Sequence, residues 1–212
     1  MIERPIIFSA PIVRAILAGQ KTQTRRLLHY HRDWPGAVKL IGGQLFYYPT
    51  DPSAPPMQPC MMSECRYEPG MRLWVRETAY IAPPGFSDEP IVNNTTDSES
   101  RPRVVGYVAS MDEDSIRCAE DYHVKRSPPI FLPRWASRIS LDVNAVRIER
   151  LQDISEEDAR AEGVTDDDVC RVYRVPAARD AFAYLWDDIN GKRAAWATNP
   201  WVAVVTFKRV TP

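Results

Sequence analysis

PWVAVVTFKRV, residues 200–210, is uncharged from Trp201 to Phe207 and rich in valine. Such a run is a strand with apolar neighbours on both faces, so it predicts the middle of a sheet. Upstream, AARDAFAYLWDDING (177–191) places Ala178, Phe182, Leu185, Trp186 and Ile189 on one helical face and stops at Asn190-Gly191. ISEEDARAEGV (154–164) reads as a compact helix with Ser155 as cap, acids in the first turn and Gly163 as the stop. SRISLDVNAVRIERL (137–151) alternates Ile139, Leu141 and Val143 with polar residues, slips register near Asn144-Ala145 and resumes at Val146 and Ile148. It predicts one long strand with a bulge, or two strands. MRLWVRETAYI (71–81) has the period of a strand, and SAPIVRAILAG (9–19) predicts a short helix from the Ser9 cap and Pro11 to Gly19.

Two regions depart from this regularity. Residues 28–70, with Pro35, Pro49, Pro52, Pro55, Pro56 and Pro59, and residues 81–135, rich in Pro, Ser, Asp and Asn, read as long surface insertions, because proline at that density interrupts ladders and helices. The remaining elements are mostly strands with short helices at the connections. They predict an α+β fold, a small mixed-to-antiparallel barrel, in one domain spanning 1–212.

At 212 residues and 44% hydrophobic, the chain can bury a core of ordinary size. Lys and Arg total 27 against 28 Asp and Glu, a net charge of -1, which excludes a polycation that coats nucleic acid; any such affinity must be local. No stretch approaches ~18 consecutive apolar residues, and MIERPIIFSAPIV lacks the basic start and apolar run of a secretion signal. A cytoplasmic protein without membrane contact is the expectation. Cys60, Cys65, Cys118 and Cys170 are too few and too irregular for a disulfide framework and read as thiols.

AILAGQKTQTRRL (15–27) sets a lysine, two threonines and two arginines directly behind an apolar turn. Lys21 and Thr24 are three residues apart, so another turn or a tight loop brings ammonium and hydroxyl to one space. A threonine hydroxyl attacks only once a base removes its proton, and a lysine is that base only where burial or a neighbouring cation keeps it partly neutral. The stretch is equally readable as carbonyl caps and solvated surface, or as an anion patch of Lys21, Arg25 and Arg26 for phosphates. Spacing does not choose among these.

The segment Gly19-x-Lys21-x-x-Thr24-x-Arg26 resembles the signature of the ASCH domain family. GMRLWVRET, LPRWASRISLDVNAVRIERLQDISEEDARAEGV and NPWVAVVTFKRV resemble the larger ASCH proteins encoded by phages and prophages. The resemblance implies a PUA-like β-barrel associated with RNA and nucleoside chemistry. Within that superfamily, the small bacterial N4-acetylcytidine amidohydrolases use a Thr nucleophile, a Lys base and a Glu. Their pattern falls here on Lys21 and Thr24, and their Glu, in a short acidic helix, falls best on Glu162 of SEEDARAEGVT. It implies that Lys21 accepts the Thr24 proton, Thr24 Oγ attacks an acyl carbonyl and Glu162 orients the lysine, with Arg26 positioning substrate or bracing the loop. The phage context extends the substrate range to modified DNA bases and nucleotides. Glu77, on a strand that shares the resemblance, is the second candidate for the carboxylate beside Lys21.

Other constellations are weaker. Cys60 and Cys65, with His29 and His31 upstream, have the residue types of a zinc site, but their spacing is loose and Met61 and Met62 between the thiols read as packing. No metal and no cofactor are expected, and His123 reads as a surface residue. Trp135, between Arg134 and Arg138, has the makings of a base-stacking platform, or of a lid on the barrel. Arg72, Arg76 and Glu77 alternate with Leu73 and Val75, as on any half-buried strand.

The expected function is an amidohydrolase removing an acyl group from a modified nucleoside or base. Its rival is a non-catalytic RNA- or DNA-binding module in which Lys21, Arg25, Arg26, Arg134 and Arg138 contact phosphate. A third reading, an assembly platform of a phage particle, has no direct support in the residues.

Overall fold

The computed structural model describes residues 1–28, 36–41, 44–49, 58–59, 65–83, 103–122 and 124–210. In chain order the regular elements are β1 (Glu3–Ile7), α1 (Ala10–Leu17), β2 (Gln23–Leu27), β3 (Gly36–Ile41), β4 (Gln44–Pro49), β5 (Gln58–Pro59), β6 (Arg72–Arg76) and β7 (Ala79–Ala82). They continue with β8 (Arg103–Tyr107), α2 (Glu113–Asp121), β9 (Lys125–Ser127), β10 (Ser140–Arg150), α3 (Glu156–Ala161), α4 (Ala178–Asn190) and β11 (Trp201–Val210). The class is α+β. The described strands pair as open ladders, and no closed barrel is found among the described residues.

The chain divides into two compact units, the first built from Gly19–Met71 and Asp142–Arg209, the second from Ile2–Ala18 and Arg72–Leu141. In the first unit β11 lies between β10 and β2. It runs antiparallel to β2, with Val202 opposite Leu27 and Thr206 opposite Gln23. Its uninterrupted apolar run is explained by two cores, one on each face. Val202 and Val204 pack with Leu151 and Ile154, which precede α3, and with Ala159, Phe182 and Trp186, which α3 and α4 turn inward. Trp201 and Ala203 pack on the opposite side with Leu28, Cys65 and Ile148. A central strand of this kind needs no polar face. The three short strands β3, β4 and β5 form a separate antiparallel sheet with β4 in the middle.

β10 is a single eleven-residue strand. The slip anticipated at Asn144-Ala145 is visible in its burial: Leu141 and Val143 are buried, 144 and 145 are exposed, and the next buried position, Ile148, has the opposite parity.

In the second unit β1 and β6 are parallel neighbours, and β7 is the centre of the antiparallel order β8-β7-β9. Helix α1 forms where expected and buries Val13 and Ile16, although the Ser9 side chain makes no capping hydrogen bond. The surface character expected for 81–135 does not hold for its described part. Ala82, Ala119 and Val124 are buried with Tyr80, and Leu132 and Ala136 are buried with Ala79. The stretch from Arg103 to Ser127 contains no proline, which leaves room for β8, α2 and β9 between the interruptions. Helix α2 starts on Asp112, whose carboxylate accepts from the Ser115 backbone N–H. No helix among the described residues is long and apolar enough to cross a membrane.

Candidate functional site

The densest collection of buried charge lies in the first unit, where β2, β10 and the end of α3 meet. Gly19, at φ +74°, turns the chain after α1, a conformation that a β-carbon disfavours. The next residues are pinned from two sides: Thr22 donates its backbone N–H to the Ala161 carbonyl at 2.9 Å and accepts from the Phe207 N–H at 2.9 Å. Lys21 is thereby held against the C-terminus of α3.

That terminus is well defined. Ser155 Oγ accepts from the Asp158 N–H at the start of α3, and Gly163, at φ +95°, ends it with its N–H on the Arg160 carbonyl. The last carbonyls of a helix have no partner within it, and they favour a cation. Lys21 Nζ fills this role, donating to the Glu162 backbone carbonyl at 2.6 Å and to its carboxylate Oε2 at 2.7 Å. The two side chains are only 3% and 4% exposed. Removal from water holds the Lys21 ammonium below the usual lysine range; Glu162 opposes this, and the nearby Arg26 and Arg25 cations add to it.

Glu162 is shared. Its second oxygen, Oε1, accepts from Arg25 Nη1 at 3.1 Å, and the guanidinium of Arg25 is wholly buried. Arg25 Nη2 donates onward to Glu149 Oε1 and, at 2.9 Å, to Asp158 Oδ2. Arg147 closes the far side, with Nε on Glu149 Oε2 at 2.9 Å, Nη2 on Asp158 Oδ2 at 2.6 Å and Nη1 on Gln23 Oε1 at 3.2 Å. Three cations thus face three carboxylates in one connected network, which is what makes so much buried charge tolerable. Burial pushes the Asp158 carboxyl up, but the Gln23 amide and the Arg25 and Arg147 guanidiniums outweigh it and leave it below its ordinary range.

The pleat of β2 separates the remaining groups. Gln23 and Arg25 project to the face that carries α3 and α4, where Arg25 also lies over the Phe182 ring at 5.8 Å, and Thr24 and Arg26 project to the other. Thr24 is 4% exposed. Lys21 precedes the strand and is not bound by its alternation. Its ammonium is held by Glu162 at the end of α3.

The other residues singled out in the sequence lie in the second unit. Glu77 is 1% exposed and takes both Nε and Nη2 of Arg138 at 2.9 Å, while Arg138 lies 4.1 Å from the Tyr107 ring centre. Arg134 is paired with Glu3 at 2.9 and 3.3 Å. Trp135, in the 3-10 turn Arg134–Ala136, is 56% exposed. Of the two carboxylates considered for Lys21, its partner is Glu162.

No family model, curated protein or solved structure matches the chain. The site therefore rests on its own geometry.

Among the described residues no group of three or more His, Cys, Asp and Glu side chains is placed to hold a metal ion. Cys60, His29, His31 and His123 lie outside the described residues, and Cys65 is a buried thiol whose pKa burial raises. The residues that sequence reasoning missed are Gln23, Arg147, Glu149 and Asp158. Only the alternation of Arg147 and Glu149 on β10, and the crowd of acids in α3, hinted at them.

Proposed function

We propose that the protein is an ASCH-type amidohydrolase of PUA-like fold that removes an acyl group from a modified nucleoside or base in the cytoplasm, with N4-acetylcytidine as the type substrate. The observation that carries this reading is Lys21: a buried lysine, held by Glu162 and depressed in pKa by burial, three residues before a buried threonine. A desolvated lysine is a proton acceptor near neutral pH in a way that a surface lysine is not.

In this reaction neutral Lys21 takes the Thr24 proton as Oγ bonds to the acyl carbon. The resulting Lys21 ammonium, stabilised by Glu162, returns the proton to the departing N4 amine as the C–N bond breaks. Water then cleaves the acyl-threonine ester, giving acetate and cytidine and restoring the hydroxyl.

The rival reading as a phosphate-binding module is weakened by the pairing of its cations. Lys21, Arg25, Arg134 and Arg138 each already face a carboxylate. Arg25 and Arg138, committed to the buried carboxylates of Glu162 and Glu77, are poor phosphate ligands, whereas the Arg134–Glu3 pair is exposed.

The deciding experiment follows cytidine release from N4-acetylcytidine and its deoxy analogue by chromatography, beside folded Thr24→Ala and Lys21→Ala variants. The expected result is release by the native chain and a loss of about 10²–10⁴ in rate in the Lys21 variant. No release from any protein overturns the substrate. Binding to RNA or DNA that weakens steeply with salt and ignores Thr24→Ala replaces the hydrolase with the binding module.

A further inference from the structure

We infer that Arg25 is a positioning residue that sets the proton affinity of Lys21 by holding the second oxygen of Glu162. The inference rests on the reading of Lys21 as a base but is testable without any substrate. In the sequence Arg25 looks like one more phosphate-binding cation next to Arg26. The structure gives it another place: its side chain is 0% exposed, and Nη1 and Nη2 are engaged by Glu162, Glu149 and Asp158.

The arrangement has a direction. Glu149 and Asp158 are themselves fixed by Arg147, so Arg25 is anchored on the side away from Lys21 and presents Nη1 to Glu162. A carboxylate with one oxygen on Lys21 and the other on a fixed guanidinium cannot rotate, and it divides its charge between two cations. Lys21 consequently receives less stabilisation of its charged form than an unshared Glu162 would supply. The clamp thus favours the neutral amine and keeps Oε2 aimed at Nζ. The charged groups facing this pair are Arg25 and Arg26 from β2, Arg147 and Glu149 from β10, and Asp158 from α3. Among them Arg25 touches both Glu162 and the anchoring acids.

The test is a lysine side-chain NMR titration of the full chain, observing the carbon next to Nζ. The signals come from Lys21, Lys39, Lys125, Lys192 and Lys208, and Lys21→Met identifies the first. In the native protein Lys21 is expected to titrate below the exposed lysines. Arg25→Gln frees Glu162 to pair with Lys21 alone, so its midpoint is expected to rise by about one pH unit. Arg25→Lys restores a charge but not a fork able to bridge three carboxylates, and is expected to give a smaller rise. A purely structural Arg25 lowers the melting temperature and leaves the midpoint where it was, and that result overturns the inference. Should Arg25→Gln fail to fold, Arg25→Lys decides: a rise supports the clamp and an unmoved midpoint rejects it. Failure of the native chain to hydrolyse N4-acetylcytidine removes the substrate but leaves this titration intact.

Discussion

Two buried glutamates, one in each unit, solve the same problem in different ways. Glu77 gives both oxygens to one guanidinium, the parallel fork of Arg138, and is 1% exposed. Glu162, 5% exposed, gives one oxygen to Lys21 and the other to Arg25, and its own backbone carbonyl accepts from Lys21 as well. A closed bidentate pair satisfies charge and geometry at once and leaves nothing to adjust. A shared carboxylate leaves each partner incompletely compensated. The difference teaches which of two similar ion pairs is closed on itself and which is divided between two cations.

The largest effect expected from this contrast is on stability in the second unit. Arg138→Ala removes both guanidinium hydrogen bonds from the buried Glu77 carboxylate, and should cost about 3–5 kcal/mol in urea or thermal unfolding. Lys21→Met should cost less, about 1–2 kcal/mol, because Glu162 keeps Arg25 and the loss of a buried ammonium offsets part of the broken hydrogen bonds. Equal losses in the two variants would mean that Arg25 does not hold Glu162 and would erase the distinction.

The contrast also has a pH dependence. The folded-state pKa of Lys21 lies below 10.5, its value in the unfolded chain, because burial penalises the ammonium. Between those two values the unfolded chain binds more protons than the folded one, so Lys21 makes stability rise as pH rises through that window. Unfolding measured as pH rises toward 10.5 should show this slope in the native chain, and Lys21→Met should lack it. The comparison with that variant removes the tyrosines whose pKa values are raised, Tyr80, Tyr107 and Tyr173, since they titrate alike in both proteins.

How much of this was legible in the sequence follows the range of the interactions. β11 and α4 were readable because their signals are local: an unbroken apolar run, and one helical face ending at Asn190-Gly191. Helix α3 and its cap were readable for the same reason. The pairing of Lys21 with Glu162 came only from the resemblance, since 141 residues separate them. The role of Arg25 was not legible at all, because its partners Glu149 and Asp158 lie 124 and 133 residues away, and nothing local distinguishes a guanidinium buried among acids from one in water. The described part of 81–135 departs from the surface reading for a related reason. Its prolines are a strong local signal, while the burial of Ala119, Val124 and Leu132 depends on strands elsewhere in the chain.

The smallest effect separates the helix from the site it carries. Ser155 Oγ accepts the Asp158 N–H at 3.0 Å, and replacing such a cap with alanine costs about 1 kcal/mol. Ser155→Ala should therefore lower stability by about that amount. The opposite end of α3 is fixed independently, by the Thr22 N–H on Ala161, the Lys21 ammonium on Glu162 and the left-handed Gly163. Loosening the first turn should consequently leave the Lys21 titration midpoint unmoved, although Asp158 sits at the frayed end. A midpoint that shifts in Ser155→Ala would show instead that the anchoring of Arg25 through Asp158 depends on the helix start, and would extend the proton-setting network from Glu162 to the whole of α3.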